Sequence, residues 1–210
     1  MFSGLNATEI ITFVVSLIAA LTVHEAMHAY ASHALGDRTA YDEGRLTLNP
    51  IKHIDFITSV LLPVALVLLH LPPFFIARPV PFNPNNVRHN EFGVAIVGLA
   101  GPFSNFLLAF IAALFAKFAG IAIGTETFNI ASIFILVNLS FFVFNMIPFP
   151  PLDGSRLLYA LAPDSVREVM ERMESGGVFI ILVFMFVVFP FLSTTVGNVV
   201  NSMYTFLLSI

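Results

Sequence analysis

An apolar run from Ile10 to about Leu35 contains three histidines and a glutamate in its second half. A helix of about 20 such residues spans the hydrocarbon core of a bilayer, which is about 30 Å thick. Ionisable side chains are costly at that depth and are candidates for function by default. The run therefore predicts a transmembrane helix that carries a polar functional centre.

The composition agrees with an integral membrane protein. The 210 residues are 58% hydrophobic and only 10% charged, against about a quarter charged in soluble domains. The length predicts a single domain over residues 1–210. The net charge of −4 comes with no long basic run, so nothing suggests nucleic acid as a partner. The chain has no cysteine, so any metal ligands must be histidine or carboxylate.

The polar centre has the sequence His24-Glu25-Ala26-Met27-His28. On a helix the two histidines are four residues apart and project from one face. This geometry suits two ligands of a tetrahedral Zn²⁺, and Glu25 between them is placed to act as general base. The alternative is a hydrogen-bonded structural cluster. Ionisable groups in hydrocarbon without a purpose are rare, which favours the metal site.

The remaining apolar runs predict an all-α polytopic membrane protein with about 4–6 transmembrane helices. These runs are 92–118, 128–146 and 178–192, together with a run over 56–76 that prolines interrupt. Residues 193–210 are compatible with a short span, a bent continuation or an interfacial helix. Residues 163–174 have an amphipathic pattern, and the alternation of Leu46, Thr47 and Leu48 suits a short strand.

The basic residues predict the orientation of these spans. Of nine Lys and Arg, all except Lys117 lie in 38–52, 78–88 and 156–172, so the positive-inside rule makes those regions cytoplasmic. Both flanks of 56–76 then lie on the same side. We therefore expect 56–76 to be a re-entrant, partly β-like segment between the first two full spans, bordering a wet pocket that opens to the cytoplasm.

A catalytic zinc site usually has a third protein ligand. His33 lies about 140° round the helix from His28, and His53, His70 and His89 lie in loops or beside the interrupted run. Asp153 follows a span that runs inwards, so it reaches the cytoplasmic depth of His24 and His28. The alternative for Asp153 is a turn or helix-capping residue, but its matched depth favours the metal.

Three asparagines lie within the predicted spans: Asn105, Asn138 and Asn145. Each could bind substrate backbone or a developing oxyanion, or could instead bond one helix to another. Asn145, eight residues before Asp153, is the best candidate for substrate binding. The 46–48 strand or the 78–82 segment could also pair with an extended substrate.

The motif at His24, together with the later Asn145-x-x-Pro148-x-x-Pro151-Leu152-Asp153-Gly154, resembles the site-2 protease family of intramembrane zinc metalloproteases. The stretches 44–50, 78–81 and 100–105 look like the short prokaryotic members. The resemblance covers about residues 15–160. The PDZ-like insertion and the CBS pair of other members are missing, which leaves substrate selection and regulation open.

This resemblance implies that His24, His28 and Asp153 bind zinc and that Glu25 is the catalytic carboxylate. It implies partners that are transmembrane proteins or peptides, cut in or near a locally unwound membrane segment. The expected location is a prokaryotic cell membrane, with the active site towards the cytoplasm. Two other functions are alternatives: a catalytically silent protein that binds membrane segments, and a metal transporter. The intact Glu25 argues against the silent binding protein, which has no chemical need for that carboxylate. A metal transporter would need ionisable residues through the full depth of the bilayer, whereas here they lie at one level.

Overall fold

A computed structural model describes residues 6–55 and 78–210, together with positions 61, 65, 66 and 68. Four of its helical stretches are long and apolar enough to cross a membrane: Ala7–Ala34, Asn90–Phe118, Glu126–Asn145 and Val178–Ser209. The prediction of an all-α polytopic membrane protein is confirmed.

The α-helices in chain order are α1 (Ala7–Ala34), α2 (Thr39–Asp42), α3 (Asn90–Phe118), α4 (Glu126–Asn145), α5 (Gly154–Leu161), α6 (Asp164–Ser175), α7 (Val178–Val183) and α8 (Phe189–Ser209). Two short 3₁₀ helices cover Pro50–Lys52 and Pro84–Asn86. Helix α6 is the predicted amphipathic segment. A π-helical turn, Phe184–Val188, joins α7 to α8, so residues 193–210 continue the preceding helix.

Local sequence fixes both ends of α1. The Asn6 side chain accepts the backbone N–H of Glu9, and the Glu9 carboxylate accepts the N–H of Asn6, which forms a capping box. The helix ends at Ala34 with Leu35 as its C-cap, and the next residue, Gly36, takes a φ of 105° that favours glycine. With these ends, His24 lies in the second half of α1.

Helices α1, α3 and α4 pack against one another, and α8 packs against the pair formed by α3 and α4. Small side chains on α3 face larger ones on α4 and α8, which lets the helices approach closely. The buried cluster of this packing consists of Ala109, Ala113, Ile135, Leu139, Val200 and Leu207. The bundle holds the middle of α1 against α3 and α4, where the histidine motif lies.

A buried carboxylate ties the end of α1 to the segment before α3. Asp37 accepts the side chain of Thr39 at 2.7 Å and the backbone N–H of Asn83 at 2.9 Å. Burial alone would raise the pKa of Asp37, but these hydrogen bonds and one from Asn86 outweigh it and lower the pKa. Asp37 therefore stays ionised and fixes this connection.

The predicted strand at Leu46–Leu48 is wrong. The Thr47 N–H donates to Arg45 O and the Arg45 N–H donates to Ala40 O, so local turns occupy these donors. Residues 46 and 47 form a bend, and no strand occurs within 6–55 or 78–210. Alternation of apolar residues cannot make a strand without a neighbour to pair with. The predicted re-entrant segment, 56–76, lies outside the described residues apart from four isolated positions.

Candidate metal centre

Two histidines of α1 and one aspartate before α5 converge on a single point. The Nε2 atom of His24 lies 3.0 Å from Oδ2 of Asp153, and the Nε2 atom of His28 lies 3.5 Å from the same oxygen. The candidate ligand atoms of the three residues all lie within 4.8 Å of one another. Two imidazoles and a carboxylate at this spacing could hold a metal ion.

The outer nitrogens of both imidazoles have acceptors. His24 Nδ1 lies 2.7 Å from Oδ1 of Asn105, and His28 Nδ1 lies 2.7 Å from the carbonyl oxygen of Val97. The carbonyl of Val97 only accepts, so His28 Nδ1 donates to it. The same tautomer, with the proton on Nδ1, suits His24, because the side chain of Asn105 presents its carbonyl oxygen to that nitrogen. The lone pair of each Nε2 then faces Asp153, an arrangement typical of metal-binding histidines.

Asp153 occupies the position before the first residue of α5, yet its side chain makes no capping hydrogen bond there. The alternative role as a helix cap is therefore not the one the structure shows. Gly154 brings this turn close to the end of α4, because a Cβ at Gly154 would lie 2.4 Å from the carbonyl oxygen of Met146. The glycine thus permits the approach that carries Asp153 to the histidines.

Gly101 of α3 leaves open the space in front of the imidazoles. A Cβ at this position would lie 2.4 Å from Nε2 of His28 and 2.8 Å from Nε2 of His24. A space beside two nitrogen lone pairs and one carboxylate oxygen fits a small divalent cation. The residues present therefore fit the zinc ion that the sequence predicts.

Gly101→Ala is expected to reduce bound zinc and activity together, because its methyl group would press on both ligand nitrogens. We expect a loss of about a hundredfold in activity, as for ångström-scale misplacement of reacting groups. Gly197→Ala in α8 is the matched control, since a Cβ there meets nothing within 4 Å. Metal analysis and an activity assay measure the effect. Normal zinc content in Gly101→Ala would contradict this account of the space.

Glu25 lies beside the ligands and is 8% exposed. Its Oε2 atom accepts the backbone N–H of Val80 at 3.2 Å. Val80 belongs to the extended segment before α3, so a part of the chain 55 residues away holds this carboxylate. No sequence pattern predicts this contact, because Val80 contributes only its backbone.

Two of the three asparagines bond helices together. Asn105 donates through Nδ2 to Ala20 O and to Oδ1 of Asn138, while its own Oδ1 faces His24. Asn138 donates to Phe134 O within α4, and both asparagines are fully buried. This is the helix–helix bonding that the sequence allows as the alternative to substrate binding by Asn105 and Asn138. Asn105 instead orients His24.

The third asparagine, Asn145, is half-buried at the end of α4. Its Nδ2 atom donates to Phe141 O, one turn earlier in the helix. The Phe141 ring contacts the His24 ring at a centroid distance of 6.1 Å. Asn145 is therefore on the helix that borders the metal centre, and it remains a candidate for binding substrate.

The other described histidines lie elsewhere. His33 stacks on Tyr41 near the end of α1, and His53 bonds through Nε2 to Thr47 O. His89 precedes α3 in a left-handed conformation. Within the described residues, only His24, His28 and Asp153 form a group able to bind a metal. His70 lies outside those residues.

A group of side chains able to hold a metal ion, with an adjacent buried glutamate among membrane-spanning helices, indicates a membrane metalloprotease as the class of protein. The family model described as "Peptidase family M50" matches residues 118–188. YwhC of Bacillus subtilis, assigned by name as a zinc metalloprotease, is 39% identical over 179 residues, covering 81% of this chain and 78% of YwhC.

Two mycobacterial proteins named Rip2, also assigned as zinc metalloproteases, are more distant. The protein of Mycolicibacterium smegmatis is 29% identical over 79% of this chain, and that of Mycobacterium tuberculosis is 26% identical over 80%. The chain spans only 63% and 64% of their lengths. No solved structure gives a significant match. The chain belongs to peptidase family M50, the site-2 proteases, and is a zinc metalloprotease.

Proposed function

We propose that this protein is an intramembrane zinc endopeptidase that hydrolyses peptide bonds in or near transmembrane segments of other proteins. Such cleavage would serve regulated intramembrane proteolysis or the clearance of membrane peptides. The observation that carries the proposal is the convergence of His24, His28 and Asp153 within a bundle of membrane-spanning helices. A protease centre in that position meets substrates that are themselves in the membrane.

The ligand set assigns a role to each side chain. His24, His28 and Asp153 would hold the zinc, with Asn105 and the Val97 carbonyl fixing the two imidazoles. Bound zinc lowers the pKa of water towards neutrality and polarises a carbonyl group. Glu25 would accept the proton of the attacking water and return it to the leaving amine nitrogen. Since Glu25 is held by Val80 and not by the ligand group, it stays available for this transfer.

The substrate must offer an extended backbone, because a helix hides its peptide bonds in internal hydrogen bonds. Asn145 at the end of α4 is the residue we propose to bind that backbone. Water and an unwound substrate would both enter from the cytoplasmic side, because the positive-inside rule predicts that the ligand end of α1 faces the cytoplasm.

The test uses purified protein in detergent with a panel of single-span membrane proteins. Cleavage is expected within or near the apolar segment of at least one substrate, and it should stop on adding a zinc chelator and return on adding zinc. Mass spectrometry locates the cleaved bond. Cleavage that persists after the zinc is removed, or that falls only in soluble regions, would overturn the proposal.

The orientation has a separate test, since the chain has no cysteine and single-cysteine variants are free of background. Lys52→Cys and Arg88→Cys should react with a membrane-impermeant maleimide only from the cytoplasmic side. Ile123→Cys, in a loop between α3 and α4 where the side chain is 84% exposed, should react only from the opposite side. Labelling of positions 52 and 88 from different sides would contradict both the orientation and the re-entrant segment.

A further inference from the structure

The contact between Glu25 and Val80 depends on a single backbone donor. Pro79 and Pro81 flank Val80, and proline has no N–H to donate. The Val80 amide is therefore the only donor of these three residues, and it engages Oε2 of Glu25. Among the described residues no hydrogen bond reaches the other oxygen, Oε1. One carboxylate oxygen is held and the other is left for proton transfer.

Arg45 fixes the segment that carries this donor. Its Nη2 atom donates to the carbonyl oxygen of Arg78 at 2.7 Å and lies 3.4 Å from that of Pro79. The Arg78 N–H donates to His53 O at 3.0 Å. Arg45 and His53, both in the chain that follows α2, thus hydrogen-bond the C=O and the N–H of Arg78, two residues before Val80.

Stability does not explain an arginine at this position. Arg45 is only 3% exposed, and its Nε and Nη1 atoms have no hydrogen-bond partner in the described part of the chain. Buried unpaired donors on a cation destabilise a fold. Burial and the charge of Arg78 lower the pKa of Arg45, while Glu25 and Glu43 oppose this shift.

We propose that Arg45 is a positioning residue for Glu25, acting through the backbone of Arg78–Val80. The guanidinium holds the segment, the Val80 amide holds Oε2, and Oε1 is thereby aimed for proton exchange. This inference rests on the proposed role of Glu25 as the general base. It concerns kcat, since a misaligned base slows proton transfer without changing how substrate or zinc is bound.

The sharpest test removes the Val80 N–H by substitution with proline. Val80→Pro is expected to lower kcat by about ten- to a hundredfold, with KM and zinc content within about twofold of the unaltered enzyme. Val80→Ala is the matched control, because it keeps the N–H but loses contacts with Ala29 and Ala40. It should lower the melting temperature, and its kcat should stay at least about fivefold above that of Val80→Pro, because only proline removes the donor. Equal kcat values for the two variants would overturn the proposal.

The Arg45 series tests the same link without altering the segment's own backbone. Arg45→Gln should lower kcat by at least about tenfold with KM unchanged. Arg45→Lys should recover part of that loss, because an ammonium can still donate to the Arg78 carbonyl. A change confined to KM or to the melting temperature, with no rescue by lysine, would show a merely structural arginine and overturn the proposal.

Glu25→Gln in the same assay separates the two possible failures. If Glu25→Gln still cleaves at the normal rate, the proposed function of Glu25 is wrong. If Glu25→Gln is inactive while Val80→Pro and Arg45→Gln keep normal kcat, Glu25 is still the general base, and only the positioning role of Arg45 is wrong.

Discussion

Glu25→Gln is expected to reduce cleavage by about 10²–10⁴-fold, the usual contribution of a general acid–base group. Its zinc content should stay unchanged, because the three candidate ligand atoms belong to His24, His28 and Asp153. Glutamine keeps the size of the side chain and can still accept the Val80 N–H through its carbonyl oxygen. The substitution therefore removes the base and leaves the site's shape. Cleavage rate and bound zinc are measured on the same preparation.

The matched control is Glu9→Gln, at the other end of the same helix. Glu9 accepts an N–H at the start of α1, and glutamine can also serve in a capping box. This variant should keep full activity. Loss of zinc in Glu25→Gln would contradict the division between ligands and base, and undiminished cleavage would contradict the catalytic role itself.

Asp153→Ala is expected to have the second large effect, a loss of zinc. Changes to groups that only orient metal ligands already cost about 10–100-fold in affinity, so the loss of a ligand should cost more. Two imidazoles alone also lack the negative charge that Asp153 brings within 3.0 and 3.5 Å of them. Purified Asp153→Ala should contain little zinc, and its cleavage should be restored, at most, by a large excess of the ion.

Asp164→Ala serves as the control, because this nearby aspartate is 95% exposed at its side chain and lies at the start of α6. Its zinc content and activity should stay normal. Asp153→Ala with full zinc content would show that Asp153 is not a ligand. Asp153 would then be a turn residue, which is the alternative that the sequence allows.

Much of the fold follows from the sequence because the responsible forces are local or set by the bilayer. Long apolar runs must become helices in hydrocarbon, where every backbone N–H needs a partner within its own segment. The cap at Asn6 and the glycine after Leu35 fixed both ends of α1 in the same local way. The strand predicted at Leu46–Leu48 failed for the opposite reason, since a strand depends on a distant partner.

The sequence by itself determined that His24 and His28 share a face, because a spacing of four residues leaves a helix no other arrangement. Charge distribution then pointed to Asp153 as the group at matching depth. Only the tertiary structure decided what surrounds them: Asn105 and Val97 O behind the imidazoles, and Val80 N–H on Glu25. These contacts join residues 55 to 81 positions apart and often use backbone atoms, which every residue type carries. Packing between helices, and not local preference, sets them.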